Sequence, residues 1–321
     1  MTIEKSAYLT TLNNKVVYDK TFKTIESNFK YNRFFNNGDI QIDGRAVQYL
    51  LTWPKEGIDW TDDLNIYNPN SNFTRKVNIV PFHLPRQLDK VYYEIINEER
   101  FLEALESESA LKDFTSKLLE QTADKVNIDL EVKVPTIICN DENFIPYNNT
   151  TKKGNLYEED DDFFADPIKI LKALNDGADI LEKASVDFNK GYQKDPDDKS
   201  KGYEQMLTNS KRLVVLLDNK IKNTITIGGY KENVNFQALD LEKRFGTENV
   251  LRDNLPNDYA MLLLDERSVQ LYKRAKKEGF KSQTEEPAGN QWFFFNPVIH
   301  GGFITAFNAL AWKIKPKTAT E

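Results

Sequence analysis

The chain has 321 residues, 40% of them hydrophobic and 29% charged, with a formal net charge of −7. That is enough apolar material for one large or two ordinary domains. The acidic balance excludes a protein that coats nucleic acid with a dense basic surface, though not one that merely encloses it.

Cys139 is the single cysteine, so no intrachain disulfide forms and a reducing compartment suits the chain. The opening MTIEKSAYLTTLNNK lacks the apolar run and cleavage site of a secretory signal. The longest apolar runs, such as AMLLL at 260–264, are far too short to span a bilayer. A soluble protein made inside a cell is expected, without a membrane partner.

Residues 1–13 read as an extended arm. From Val16 to Phe29 apolar residues fall at Val17, Phe22, Ile25 and Phe29, which predicts a short amphipathic helix. With no core segment near it in sequence, this helix is expected to pack on a neighbouring chain. Residues 38–85 change character. DIQIDGRAVQYLLTW opens with Ile40 and Ile42 alternating against Gln41 and Asp43, and FTRKVNIVPF alternates again. The turn-rich PKEGIDWTDDLNIYNPNSN lies between them. Neither strand shows a clean apolar face, and a polar two-stranded ribbon is marginal alone in water. Support from another chain is expected, with Trp53 and Trp60 either as contacts to it or as a local cluster within the loop.

FLEALESESALKDFTSKLLEQTADKVN, 101–127, places Phe101, Leu105, Leu111, Phe114, Leu118 and Val126 at spacings that are mostly three and four, with a weak step around Glu108. An unbroken amphipathic helix of about 40 Å is predicted. The alternation of NIDLEVKVPTII and Pro135 are expected to end it. Residues 146–167 read as an irregular polar segment. DPIKILKALNDGADILEKASVDFN predicts a helix with Asp166 as N-cap and Pro167 in its first turn. RLVVLLD and DYAMLLLD read as buried strands, and FQALDLEKRFG as a helix closed by Gly246. ERSVQLYKRAKKEG reads as a short helix. NQWFFFNPVIHGGFITAFNALAWKIKP reads as two strands joined by a turn at Gly301 and Gly302. With no repeats and no linker between separate cores, the class is α+β.

Equipment for catalysis is sparse. His83 and His300 are the two histidines, so with one cysteine a four-ligand Cys/His zinc site cannot be built within the chain. Phosphate-binding, dinucleotide-binding, zinc-protease and nucleophile-elbow motifs are missing. HGGF at 300 lacks the nucleophile that an esterase oxyanion loop serves, so a satisfied histidine beside a tight turn is the better reading. Glu158–Asp162, EEDDD, could bind Ca²⁺ or Mg²⁺ through oxygens, but its spacing is not that of a calcium loop, and a solvated acidic loop is favoured. Cys139 reads as a small core residue. No catalytic residue, cofactor or metal is assigned, and a structural role is preferred to an enzyme.

The order of elements resembles a family. A flexible arm, a long polar ribbon, a long helix and a mixed region closing in strands is similar to the HK97-fold major capsid proteins of tailed bacteriophages, a fold that encapsulin shells share. The resemblance rests on organisation and covers nearly the whole chain. It implies an N-terminal arm at 1–36 and an E-loop ribbon at 37–85. It implies a P-domain at 86–133 and 256–321, carrying the spine helix and closing strands, and an A-domain at 134–255. It also implies many copies of the chain, arranged as hexamers and pentamers in an icosahedral capsid around phage double-stranded DNA. The DNA would be enclosed without sequence-specific contact, in a virion assembled in the host cytoplasm. A portal and a separate scaffolding protein are implied as partners, because little precedes the arm. Inter-subunit contacts are expected at Trp53, Trp60, Arg75 and Lys76 in the ribbon and at Phe22 and Phe29 in the arm. The alternatives are an encapsulin-like nanocompartment shell and, from another class, a soluble α+β metal-dependent enzyme using Glu158–Asp162.

Overall fold

The structure is a computed structural model. It describes residues 21, 23–35, 39–43, 46–52, 79–96, 103, 107–183, 187–189, 208–221, 224, 241–282 and 291–316. The described strands are β1 (Asp39–Asp43), β2 (Ala46–Thr52), β3 (Ile79–His83), β4 (Arg86–Asp89), β5 (Tyr92–Ile96), β6 (Leu156–Glu159), β7 (Leu213–Asp218), β8 (Val250–Asp253), β9 (Tyr259–Asp265), β10 (Val269–Ser282), β11 (Gln291–Phe303) and β12 (Ala309–Ile314). The helices are α1 (Glu108–Ile138), α2 (Asp161–Ala165), α3 (Pro167–Leu181) and α4 (Leu241–Phe245).

The strands form three sheets. β1, β2 and β3 make an antiparallel sheet at the base of the ribbon. β10 pairs along β11, and β4 and β5 take successive stretches of β11's other side, all antiparallel. The third sheet runs β6-β12-β9-β7-β8, with β9 antiparallel to both its neighbours.

Helix α1 is 31 residues long, or about 46 Å at 1.5 Å per residue. It starts later and ends later than its sequence suggests. Ser107 is extended (φ −145°, ψ 152°) and its hydroxyl accepts from the Ala110 N–H at 3.1 Å, a side-chain cap that breaks the expected run from 101. At the other end the helix passes through Pro135 to Ile138. Val126, Leu130, Val134 and Ile138 recur every four residues and are all fully buried. That stripe outweighs the proline, which sits in the last turn and frees only the carbonyl of Glu131, an exposed residue where water can serve it. The apparent alternation of Leu130, Val132 and Val134 was therefore misleading, since Val132 is 67% exposed.

One core takes its residues from α1 and from two sheets at once. Leu88, Phe295 and Ile299 come from the β10–β11 sheet, and Val214, Leu216, Leu262 and Ala311 from the five-stranded sheet. A second core lies on the opposite face of that five-stranded sheet, where Ile170, Leu171, Leu174 and Ala178 of α3 meet Val215, Met261, Leu263 and Trp312. Strands β7 and β9 are buried on both faces, which is why they read as continuous apolar runs. Helix α3 begins as expected, with the Asp166 carboxylate accepting from the Ile168 and Lys169 N–H groups and Pro167 in the first turn.

Three further expectations are corrected. Residues 269–282 form strand β10 rather than a helix, because Glu266–Ser268 make one tight turn and the chain then pairs with β11 from Val269↔Phe303 to Ser282↔Gln291. Gly301 and Gly302 lie within β11, and the reversal falls at 304–308. A β-carbon on Gly301 would approach Leu271 Cδ2 to 2.6 Å, so the glycine serves close packing. The segment 146–167 contains β6, parallel to β12, and the short helix α2.

Leu130→Ala is expected to destabilise the protomer by about 2–5 kcal/mol, and Val132→Ala by less than about 0.5 kcal/mol. Urea denaturation of the two variants checks that α1 faces the core on the Leu130 side.

Candidate assembly surface

The arm is anchored in its own protomer. Residues 23–28 are helical, and Ile25, Phe29, Tyr31, Phe34 and Phe35 are all buried. Phe29 is 2% exposed and packs on Tyr31 and Phe35, so the ring keeps no surface for a neighbouring chain. Polar clamps hold the segment. The Tyr31 hydroxyl donates to Asp253, which Lys30 also pairs at 3.0 Å. Arg33 donates to the Glu248 carbonyl at 3.1 Å, to Asn249, and to Glu266 at 3.0 Å. Phe35 adds a parallel bridge to Leu271.

The ribbon base also rests on its own chain. Val47, Tyr49 and Leu51 form an apolar face on β2, packed on Leu84, Ile304, Ala306 and Phe307. Tyr49 meets Phe307 edge-on at 6.2 Å, and the Arg267 guanidinium stacks over the same ring at 4.4 Å. Asp265 grips Arg267 from 2.6 Å. Burial by itself would lower the Arg267 pKa, and the Asp265 carboxylate outweighs that and raises it. The base is thus a three-stranded sheet with a footing, not a bare two-stranded ribbon. β2 and β3 separate after the pair Thr52↔Ile79. Trp53, Trp60, Arg75 and Lys76 lie beyond that pair, outside the described residues, as does Phe22.

The acidic run is dispersed over local structure. Glu158 and Glu159 belong to β6, and the Asp160 carboxylate caps α2 by accepting from the Phe163 N–H at 2.9 Å. Burial, then Asp160 beside it, raises the Glu159 pKa. Among the described residues no group of three or more His, Cys, Asp or Glu is placed to hold a metal ion. The His300 ring is buried with Nδ1 3.0 Å from the Leu84 carbonyl. Cys139 is buried at the end of α1, and burial pushes its thiol pKa up. No helix among the described residues is long and apolar enough to cross a membrane.

Among the described residues, the most exposed large apolar side chains lie along β5 and α1. Val91, Tyr93 and Ile95 are 59%, 55% and 55% exposed, and Ile128 and Val132 of α1 are 65% and 67% exposed. Tyr92 and Glu94, on the opposite face of β5, turn toward α1. The Tyr92 hydroxyl donates to Asp129, and Lys125 pairs with Glu94. The segment DKVYYEIINEE carries this signal in sequence, since apolar residues of both parities mark a strand with two faces to cover.

Two carboxylates, Asp129 in α1 and Asp141 in the turn that follows it, reach residues of the sheets and of the segment before β5. Burial would raise both pKa values, but hydrogen bonds from Lys90 and Tyr92 to Asp129, and from Lys313 and Tyr259 to Asp141, outweigh it and hold both below the ordinary value of 3.8. A carboxylate with a depressed folded-state pKa stabilises above its unfolded value, and that stability is lost as pH falls through the folded one. An Asp129→Asn, Asp141→Asn double variant is therefore expected to melt below the parent at neutral pH, with the gap closing below about pH 4. Thermal melts across the acid range check this.

No family model matches the sequence, and no curated protein matches it. Solved structures do match in fold. A chain of the capsid structure of Staphylococcus phage Andhra aligns with a TM-score of 0.55 at 7% identity, over 87% of this chain and 83% of that one. A chain of the structure of the head fiber and inner core protein gp22 of bacteriophage P68 aligns with a TM-score of 0.51 at 10% identity, over 86% and 82%. The chain has the α+β HK97-like fold of phage capsid proteins.

Proposed function

We propose that this chain is a major capsid protein, a structural subunit that self-assembles into an icosahedral shell enclosing phage double-stranded DNA. The observation that carries the reading is the fold shared with a phage capsid chain over 87% of the sequence. The protomer's own surfaces support it. It anchors its arm and ribbon base internally, yet leaves apolar strand and helix surface exposed along β5 and α1. Mechanism here means assembly. Each subunit contributes several modest contacts, and closure under symmetry multiplies them. Hexamers and pentamers of the chain, a scaffolding protein and a portal are the partners of this reading, in a virion assembled in the host cytoplasm. The net charge of −7 suits a wall that encloses DNA without gripping its phosphates. The unit boundaries of this reading are the arm at 1–36, the ribbon at 37–85, the A-domain at 134–255 and the P-domain in the remainder. Helix α1, Glu108–Ile138, is the spine helix of this reading.

Negative-stain microscopy with light scattering of the expressed protein, alone and with a co-expressed scaffold, is expected to give closed shells, tubes or regular sheets. A monomer or dimer that stays small under both conditions overturns the reading. Trp53→Ala with Trp60→Ala is expected to lower the yield of particles. Unchanged yield would remove the two tryptophans from the interface.

A further inference from the structure

Three aromatic rings form a ladder on the α3 side of the five-stranded sheet. Trp312 of β12 is the register partner of Tyr157 in β6, and their rings stack 5.4 Å apart at 17°. Both belong to the core that α3 covers, with Trp312 buried and Tyr157 half-buried. The third ring is Tyr147, also half-buried, which stacks on Tyr157 at 4.4 Å and 29°. Among the described residues these are the one pair of tyrosines whose rings stack on each other.

The backbone fixes this pair. The Tyr147 N–H donates to the Leu156 carbonyl at 2.8 Å, and the Asn148 N–H to the Lys153 carbonyl at 2.8 Å. The Asn148 side chain accepts from the N–H groups of Thr150 and Thr151 and closes the turn between them. Gly154 has φ +113°, and a β-carbon there would come within 2.4 Å of the Pro146 carbonyl oxygen. The two sides of the loop are therefore in contact, and the rings need no further ordering to meet.

Two phenols held face to face are placed to couple once each has lost an electron and a proton. Burial, and then Tyr147, push the Tyr157 pKa up to about 12, so its proton leaves with the electron and not before it. The two phenoxyl radicals join through one ortho carbon of each ring. The hydrogen on each joined carbon then moves to the phenol oxygen and restores the aromatic ring. The sum is one new carbon–carbon bond, two electrons passed to the oxidant and two protons released. We propose that Tyr147 and Tyr157 are an oxidative cross-linking site, joined by a one-electron oxidant such as a peroxide-derived radical, and that the bond staples the loop 146–155 to β6. The site lies within one protomer and does not rest on the shell-subunit reading.

Photo-oxidation of the dilute full-length protein with tris(bipyridyl)ruthenium and persulfate tests this. Lys152 and Lys153 are exposed and lie between the two tyrosines. Trypsin acting on the denatured chain therefore separates 134–152 from 154–169. After oxidation the two peptides are expected as one species, lacking two hydrogens relative to their sum and showing the blue fluorescence of dityrosine. Tyr147→Phe and Tyr157→Phe keep a stacked ring and lose the phenol. Each is expected to melt with the parent and to abolish the linked peptide. Gly154→Ala keeps both phenols but forces the loop apart, and is expected to lower the linked yield severalfold. Separate peptides under conditions that couple free tyrosine overturn the site, as does a linked peptide that persists in either phenylalanine variant. An equal yield from the urea-unfolded chain also overturns it, because the folded stack would then contribute nothing.

Discussion

The structure depends on a single apolar stripe that two sheets share. Val126, Leu130, Val134 and Ile138 lie along the C-terminal half of a helix of about 46 Å, and Leu118, Leu119 and Ala123 continue the buried side toward its start. The helix is buried because two sheets share it, and each sheet in turn gains a covered inner face. Remove the stripe and both sheets lose the surface that joins them.

Each sheet also has a face turned away from that helix. The five-stranded sheet covers its second face with α3, so its central strands are buried twice. On the β5 portion of the other sheet, Tyr92 is buried toward α1, whereas Tyr93 and Ile95 on the opposite face are half exposed. That asymmetry fits a subunit whose remaining apolar surface is completed by copies of itself. Within the protomer, the ribbon base and the arm anchor need no such completion, because Phe307 supports the one and Asp253 and Glu266 clamp the other.

Much of this was legible in the residues, and the misreadings share a cause. LVVLLD and YAMLLLD read correctly as strands because a strand buried on both faces needs no alternation. Helix α3 read correctly because its cap, its proline and its stripe agree locally. Pro135, β10 and the two glycines misled because each is settled by a partner far away in sequence. Pro135 stays helical because Val134 and Ile138 are buried beside it. VQLYKRAKKEGFKS ends the strand order of its sheet among the described residues, a position where charged residues are tolerated, so its charge conceals the strand. Gly301 answers to Leu271, 30 positions earlier in the chain. The contact surface was half legible. Trp53 and Trp60 fall outside the described residues and Phe29 is internal, while KVYYEII, apolar at both parities, carries the exposed side chains of Val91, Tyr93 and Ile95.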